Sequence, residues 1–302
     1  MQQPPGIYVE ILIRGDIERV WRHTQTPELH EPWDLRFTRI RYLSRASEAE
    51  PQRFEYTTRI GFGLQVSGQG ESTGNHDEAT GRRTSALKFW SADPKSLINE
   101  GSGYWQYIPT EGGVRFLTWY DYRTRFGSVG RLLDRILFRP LLGWATAWSF
   151  DRLRLQIDEG LDPRASFRLS AIHACSRLAI AFIWLWHGLV PKLLFNHADE
   201  RAITAASHLS TGFVPVLGFI EIAIAASALL SWHRRSFFLF NILAMVAALV
   251  NVMVVAPSYL LAAFNPVTLN LAMIALSVVG YLAAAEIPHA SRCLRQAPEV
   301  SQ

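Results

Sequence analysis

Between Ser236 and Ala285 the chain runs for 50 residues without an aspartate, glutamate, lysine or arginine. A membrane-crossing helix needs about 20 consecutive apolar residues, so a stretch this long has room for two. The break in charge is sharp: 44 of the 56 charged residues lie in residues 1–168 and only 12 in residues 169–302. This pattern requires a soluble module joined to a membrane module. The expected division is a soluble domain over residues 1–160, a linker over 161–169, a membrane domain over 170–290 and a tail over 291–302.

Four apolar segments fill the membrane domain, at about 171–190, 211–232, 237–255 and 266–285. Each is long enough to span a bilayer, and the short links between them predict an antiparallel up-down bundle. Basic residues gather at one side of the spans. Arg164, Arg168 and Arg177 stand near the first, Arg234 and Arg235 join the second to the third, and Arg292 and Arg295 follow the fourth. The other side has Lys192 and Arg201. Positive charge marks the cytoplasmic face, so both termini are expected there, in a multi-pass protein of a bacterial inner membrane. The N-terminus has neither a basic region nor an apolar core of the kind a cleaved signal carries, which agrees with that orientation.

In the soluble half, alternation of β-branched and polar residues predicts strands at 7–14, 37–43, 53–60, 64–72, 84–91, 99–109 and 114–126. Asp16 stands as the N-cap of a short helix, Thr26-Pro27 opens a second, and one long helix over 129–157 closes the domain. Pro140 and Gly143 predict a kink within it. Arg131, Arg135 and Arg139 recur every four residues along that helix. They form either a solvated edge or an edge lying on anionic headgroups. The arginines from 123 to 154 alternate with Asp121, Asp134 and Asp151, which speaks against a nucleic-acid surface.

The element order, with Val20-Trp21 in the first helix and Trp33-Asp34 after the second, resembles the START/polyketide-cyclase-like superfamily. The resemblance covers residues 5–160 or so. It implies an α+β helix-grip domain, in which a curved antiparallel sheet wraps a long C-terminal helix around an apolar cavity. Superfamily members include ligand binders, cyclases and hydrolases, so the fold alone does not fix the activity. Strand alternation places Phe54 and Tyr56 on one face of the third strand, and Phe116, Tyr120 and Tyr122 on one face of the last. These five side chains are candidates to line a cavity for an apolar molecule. They would equally serve as plain packing against the long helix, and both readings are open. No catalytic set is evident. His76-Asp77-Glu78 is a poor metal site because adjacent side chains diverge. Cys175 and Cys293 lie far apart, which argues against a disulfide framework and thiol redox chemistry.

A second resemblance rests on Arg177, the run Trp186-His-Gly-Leu-Val-Pro-Lys192, Asp199-Glu200 and Glu221. It is to the DoxX-like family of four-span proteins, over residues 170–290 or so, and it implies an all-α bundle of four membrane helices. Some relatives in the wider family are tied to quinone or sulfur redox chemistry. Glu221 lies about eight residues into the second span, ~12 Å from its outer end. An unpaired carboxylate at that depth costs several kcal/mol, so it needs a polar partner. His187, Lys192, Glu200 and Glu221 are therefore the expected membrane polar cluster. It is either a binding pocket or an interhelical network that only holds the bundle.

Three functions are expected to compete. The first is a membrane-anchored binding protein for an apolar small molecule or lipid. The second is a quinone-linked membrane oxidoreductase or its accessory. The third is a membrane scaffold for a protein partner. No cofactor is evident, a quinone enters only under the second, and the oligomeric state is open.

Overall fold

The computed structural model describes residues 6–47, 50–61 and 63–297. The chain divides into two compact units. One comprises Met1–Ser166 together with Pro288–Gln302, and the other Phe167–Ile287.

The first unit is a seven-stranded, fully antiparallel sheet in the order β1-β7-β6-β5-β4-β3-β2. Its strands are β1 (Ile7–Ile13), β2 (Arg39–Tyr42), β3 (Arg53–Gly61), β4 (Leu64–Asp77), β5 (Arg83–Trp90), β6 (Ile98–Thr110) and β7 (Gly113–Thr124). Short helices α1 (Ile17–Gln25) and α2 (Pro27–His30) cross between β1 and β2. The Asp16 side chain caps α1 by accepting from Arg19 N at 2.7 Å. A long helix closes the unit as α3 (Gly127–Leu133), a π-helical turn (Asp134–Phe138) and α4 (Arg139–Glu159), with Gly160 at φ 70° as its left-handed C-cap. The core lies where α4 meets the sheet. Ile7, Val9, Ile11 and Ile13 of β1 and Val114, Phe116, Tyr120 and Tyr122 of β7 pack with Ala147, Phe150, Leu153 and Ile157. This is the helix-grip architecture.

Three local features differ from expectation. β4 runs on through His76 and Asp77, which pair with Thr84 and Arg83 after a bulge at Ser72/Gly74, so the turn begins only at Glu78. The break in the long helix is the π turn directly before Pro140; a ring nitrogen without a hydrogen cannot continue the regular ladder. The Asp–Arg series along the helix is not a solvated face. Asp134, Asp151 and Arg152 are buried, and Arg139 pairs inward with Asp121 (3.0 Å) and Asp134 (3.1 Å).

Residues after the last apolar helix return to this first unit. Glu10 and Leu294 exchange backbone hydrogen bonds at 2.9 Å, adding a bridge to the β1 edge. The fully buried Asp151 carboxylate accepts from His289 N (2.7 Å) and Arg292 Nη1 (2.9 Å). Cys293 sits in the core with Sγ directed at Ala147 O, and burial pushes its thiol up to about 12.

The second unit holds α5 (Pro163–His187) with a π-helical turn (Gly188–Leu194), α6 (Ala198–Ala206), α7 (Val214–Leu230), α8 (Ser236–Val255) and α9 (Pro266–Ala283). Of the residues expected to link the domains, 163–169 are helical, because Pro163 starts α5 and its first turns carry Arg164 and Arg168. Among the described residues, four helices are long and apolar enough to cross a membrane: Pro163–Leu194, Thr211–Leu230, Ser236–Val255 and Pro266–Ala283. Only 22–28% of each apolar stretch is buried within the unit, so most of the apolar side chains face outward, where lipid would meet them. Ile180, Ala228, Phe238, Met245 and Met273 make the core. A polar chain crosses three helices: Trp184 Nε1 donates to Asn241 Oδ1 (2.6 Å), Asn241 Nδ2 to Ser277 Oγ (2.8 Å), and Ser277 Oγ to Met273 O (2.8 Å). Every polar atom in that chain is paired, as a hydrocarbon surrounding demands.

Candidate functional site

The membrane unit brings three of its four candidate residues together. Lys192 Nζ lies 3.0 Å from Glu200 Oε1 and 3.1 Å from Glu221 Oε1, so one ammonium bridges two carboxylates. The local sequence explains the convergence. Pro191 cannot donate a backbone hydrogen bond, and the helix widens there; Phe195 N reaches Val190 O five residues back, at 3.1 Å. The widened turn buries Lys192 while its neighbours Leu189 and Leu194 stay exposed. Gly188 and Gly218 let the backbones close in. A Cβ on Gly188 would stand 2.6 Å from Gly218 O and 3.0 Å from the Glu221 Cβ. Glu221, one turn past Gly218 on α7, then reaches Lys192 directly. Glu200 comes from the third position after the His197 cap of α6.

Glu221 Oε2 is buried and has no hydrogen-bond partner among the described residues. His187 stands apart. It makes no hydrogen bond to the trio among the described residues, although it lies within electrostatic range of Lys192 and Glu200.

At the opposite end of the same helices, Arg177 is fully buried. It donates to Ala228 O (2.7 Å), Ser231 Oγ (3.3 Å), Arg234 O (2.5 Å) and His173 Nε2 (3.1 Å), and lies over the Phe237 and Phe238 rings. Its guanidinium satisfies the Ala228 carbonyl that the end of α7 leaves open, joins it to the turn before α8, and favours the α7 helix dipole. Arg177 is a structural cap rather than part of the Lys192 site.

In the soluble unit the five aromatic candidates divide. Phe116 stacks on Phe150 of α4 at 4.4 Å; Tyr120 Oη pairs with Thr146 Oγ1 at 2.8 Å; Tyr122 Oη donates to Asp134 Oδ1 at 2.6 Å. All three are buried and spend their surfaces on the long helix. Phe54 and Tyr56 are half-buried on β3, their rings lying over Gly70 and Gly68. Burial raises the Tyr56 phenol to about 12.

Sequence reasoning missed a buried charge cluster beside them. His30 Nε2 lies 2.9 Å from Asp34 Oδ2, and Arg36 grips the same carboxylate through Nε (2.9 Å) and Nη2 (2.6 Å). The Asp34 side chain is fully buried, and the His30 ring stacks on Trp33 at 4.7 Å. Spacing was the available signal, since His30 and Asp34 are four residues apart. Burial alone would raise the Asp34 carboxyl. The Arg36 charge and the hydrogen bonds from Arg36 and His30 outweigh it, and hold the carboxyl far below the usual range. A depressed folded-state value gives stability that is present above the unfolded value of about 3.9 and lost as pH falls below it. Asp34→Asn should therefore lower the melting temperature at neutral pH by several degrees and flatten its decline below about pH 4. Thermal scans across that range check this.

Residues 181–278 match the model of a family described as "DoxX-like family". The chain is 49% identical over 189 residues to "Uncharacterized membrane protein YndG" of Bacillus subtilis (strain 168), covering 62% of this chain and 70% of that one. The chain belongs to the same family as YndG, and the DoxX-like match lies within its membrane unit. The soluble unit has a helix-grip arrangement, a seven-stranded antiparallel sheet closed by a long helix. Similar solved structures include a STAR-related lipid transfer protein fragment from Xanthomonas axonopodis (12% identity, TM-score 0.38, covering 52% of this chain and 97% of that one). Another is the Zhui aromatase/cyclase from Streptomyces sp. R1128 (11% identity, TM-score 0.38, covering 50% and 94%).

Proposed function

We propose that this DoxX-like protein is a membrane-anchored binder of an amphipathic molecule of the bilayer, with an apolar body and a hydrogen-bonding head held at Lys192, Glu200 and Glu221. The observation that carries this reading is Glu221 Oε2, a buried acceptor without a donor inside an apolar bundle. Leaving such an atom unmet costs on the order of several kcal/mol, so a site that retains one is suited to a donor from outside. Lys192 has three N–H donors and spends two on the carboxylates. The site thus offers one acceptor and one donor side by side, which fits a hydroxyl-bearing head. Within the soluble unit the same reading assigns contact with an apolar guest to Phe54 and Tyr56, since α4 occupies the surfaces of Phe116, Tyr120 and Tyr122.

Both termini are assigned to the cytoplasmic side. The arginine distribution supports this, and the bridge between Leu294 and Glu10 fits both ends lying on one side, as an even number of spans requires.

A quinone-linked role is the second reading, favoured by the pairing of a proton-bearing Lys192 with a carboxylate. Native mass spectrometry of the full chain, released in a mild detergent, tests both. The expected result is a co-purifying lipid or isoprenoid whose occupancy falls about tenfold in Glu221→Gln, a loss of ~1.4 kcal/mol. An isoprenoid quinone as the adduct would favour the second reading. A protein that flies empty from several mild detergents would sink both.

A further inference from the structure

The helix that follows the sheet is built inside-out. Val129, Leu132, Leu133, Ile136, Leu137 and Leu141 recur at i, i+3, i+4, i+7, i+8 and i+12, the stripe that an amphipathic helix normally turns to its core. Here the stripe faces out: Val129 is 71% exposed, Ile136 69% and Leu132 60%. The inward positions are Gly130 and Asp134. Gly130 packs so closely on the Arg125 carbonyl that no side chain would fit, and Asp134 is held by Tyr122 and Arg139. Trp144 extends the exposed apolar surface into α4. A contiguous outward stripe of this kind marks an interaction surface.

Charge identifies the occupant. Arg131 and Arg135 are exposed on the same segment. The one acidic residue between Gly127 and Pro140 is Asp134, which is buried. The outward face is therefore apolar and cationic, with no exposed negative charge. A second copy of the chain would set arginine against arginine. An anionic lipid surface complements both the stripe and its arginines, and the chain is already held at a bilayer by its apolar helices. We infer that residues 126–144 lie in the headgroup layer of the membrane as an interfacial helix of the soluble unit. This does not depend on the Lys192 site or on any bound ligand.

Spin-label accessibility tests it on the full chain reconstituted in vesicles of phosphatidylglycerol and phosphatidylcholine. A nitroxide at Ile136→Cys is compared with one at Glu111→Cys, an exposed turn residue, in a Cys175→Ala background with Cys293 left in its core. Oxygen partitions into lipid and a nickel chelate into water. The label at 136 should be reached mainly by oxygen, and the label at 111 mainly by nickel. Arg131→Glu with Arg135→Glu should shift 136 toward nickel, by about fivefold in bound population for each arginine lost, and leave 111 unchanged. Equal nickel access at 136 and 111 would overturn the inference. So would dipolar broadening at 136 that vanishes on dilution with unlabelled protein, which would assign the stripe to a second copy.

Discussion

Replacing Lys192 with methionine is expected to destabilise the membrane unit by about 3–5 kcal/mol, because Glu200 and Glu221 are left facing each other with no cation between them. The sign follows from the asymmetry of buried ion pairs. Removing one partner strands a charge, whereas removing the whole set need not. Lys192→Met combined with Glu200→Gln and Glu221→Met should thus recover most of the loss, since the side chains then present no charge to the bundle. Glu221→Gln alone should be mild, at ~1 kcal/mol, because the amide oxygen still accepts from Lys192. Thermal unfolding of the purified chain in one detergent measures all three. The stability series also separates a network that merely holds the helices from a binding site. A structural network predicts that the triple variant regains stability with nothing further lost. The binding reading predicts regained stability with the co-purifying molecule absent. A loss below ~1 kcal/mol for Lys192→Met would show that the bridge is not carrying either role.

Arg177→Ala is expected to be comparably severe, at about 3–5 kcal/mol, or a fall of roughly 10 °C in the unfolding midpoint. Two backbone carbonyls, that of Ala228 in the last turn of α7 and that of Arg234 in the turn before α8, lose the guanidinium as a donor. A cavity opens under Phe237 and Phe238 at the same time. Arg177→Lys should recover only part of this, because a single ammonium cannot span acceptors arranged for a planar fork. Neither variant should alter binding at Lys192 beyond its effect on folding, and comparing stability with adduct occupancy tests that separation.

What was legible in the sequence follows from what membranes and sheets forbid. Charge is so costly in a bilayer that its absence from Ser236 to Ala285 outlined two helices, and its few occurrences elsewhere singled out Lys192, Glu200 and Glu221. The helix that carries the first apolar segment starts earlier than that segment, at Pro163, and takes in Arg164 and Arg168, which read as flanking residues. In the soluble unit, strand alternation located every strand, but the polar end of β4 carries no apolar alternation and read as a turn. Arg139 was set in an exposed row because its partner Asp121 lies on β7, and no local pattern announces a pairing across a fold. The same holds for the tail. Cys293 and Leu294 lie more than 100 residues from the elements they complete, and a single edge bridge leaves no periodicity to detect. His30, Asp34 and Arg36 were within reach, because a histidine and an aspartate four residues apart, next to an arginine, form a recognisable pairing pattern. The outward stripe at residues 129–141 was visible as a helix, but periodicity does not say which face turns to the core. Only the buried Asp134 fixes that.

The account rests on Glu221 Oε2 meeting a donor that the chain itself does not supply. A density map of the protein in lipid discs, at a resolution that separates side chains, measures this most directly. The expected result is non-protein density within hydrogen-bond reach of Glu221 Oε2 and Lys192 Nζ, continuous with an elongated apolar feature along α7. A Glu221 carboxyl enclosed by protein side chains alone, with no density beyond them, would contradict it.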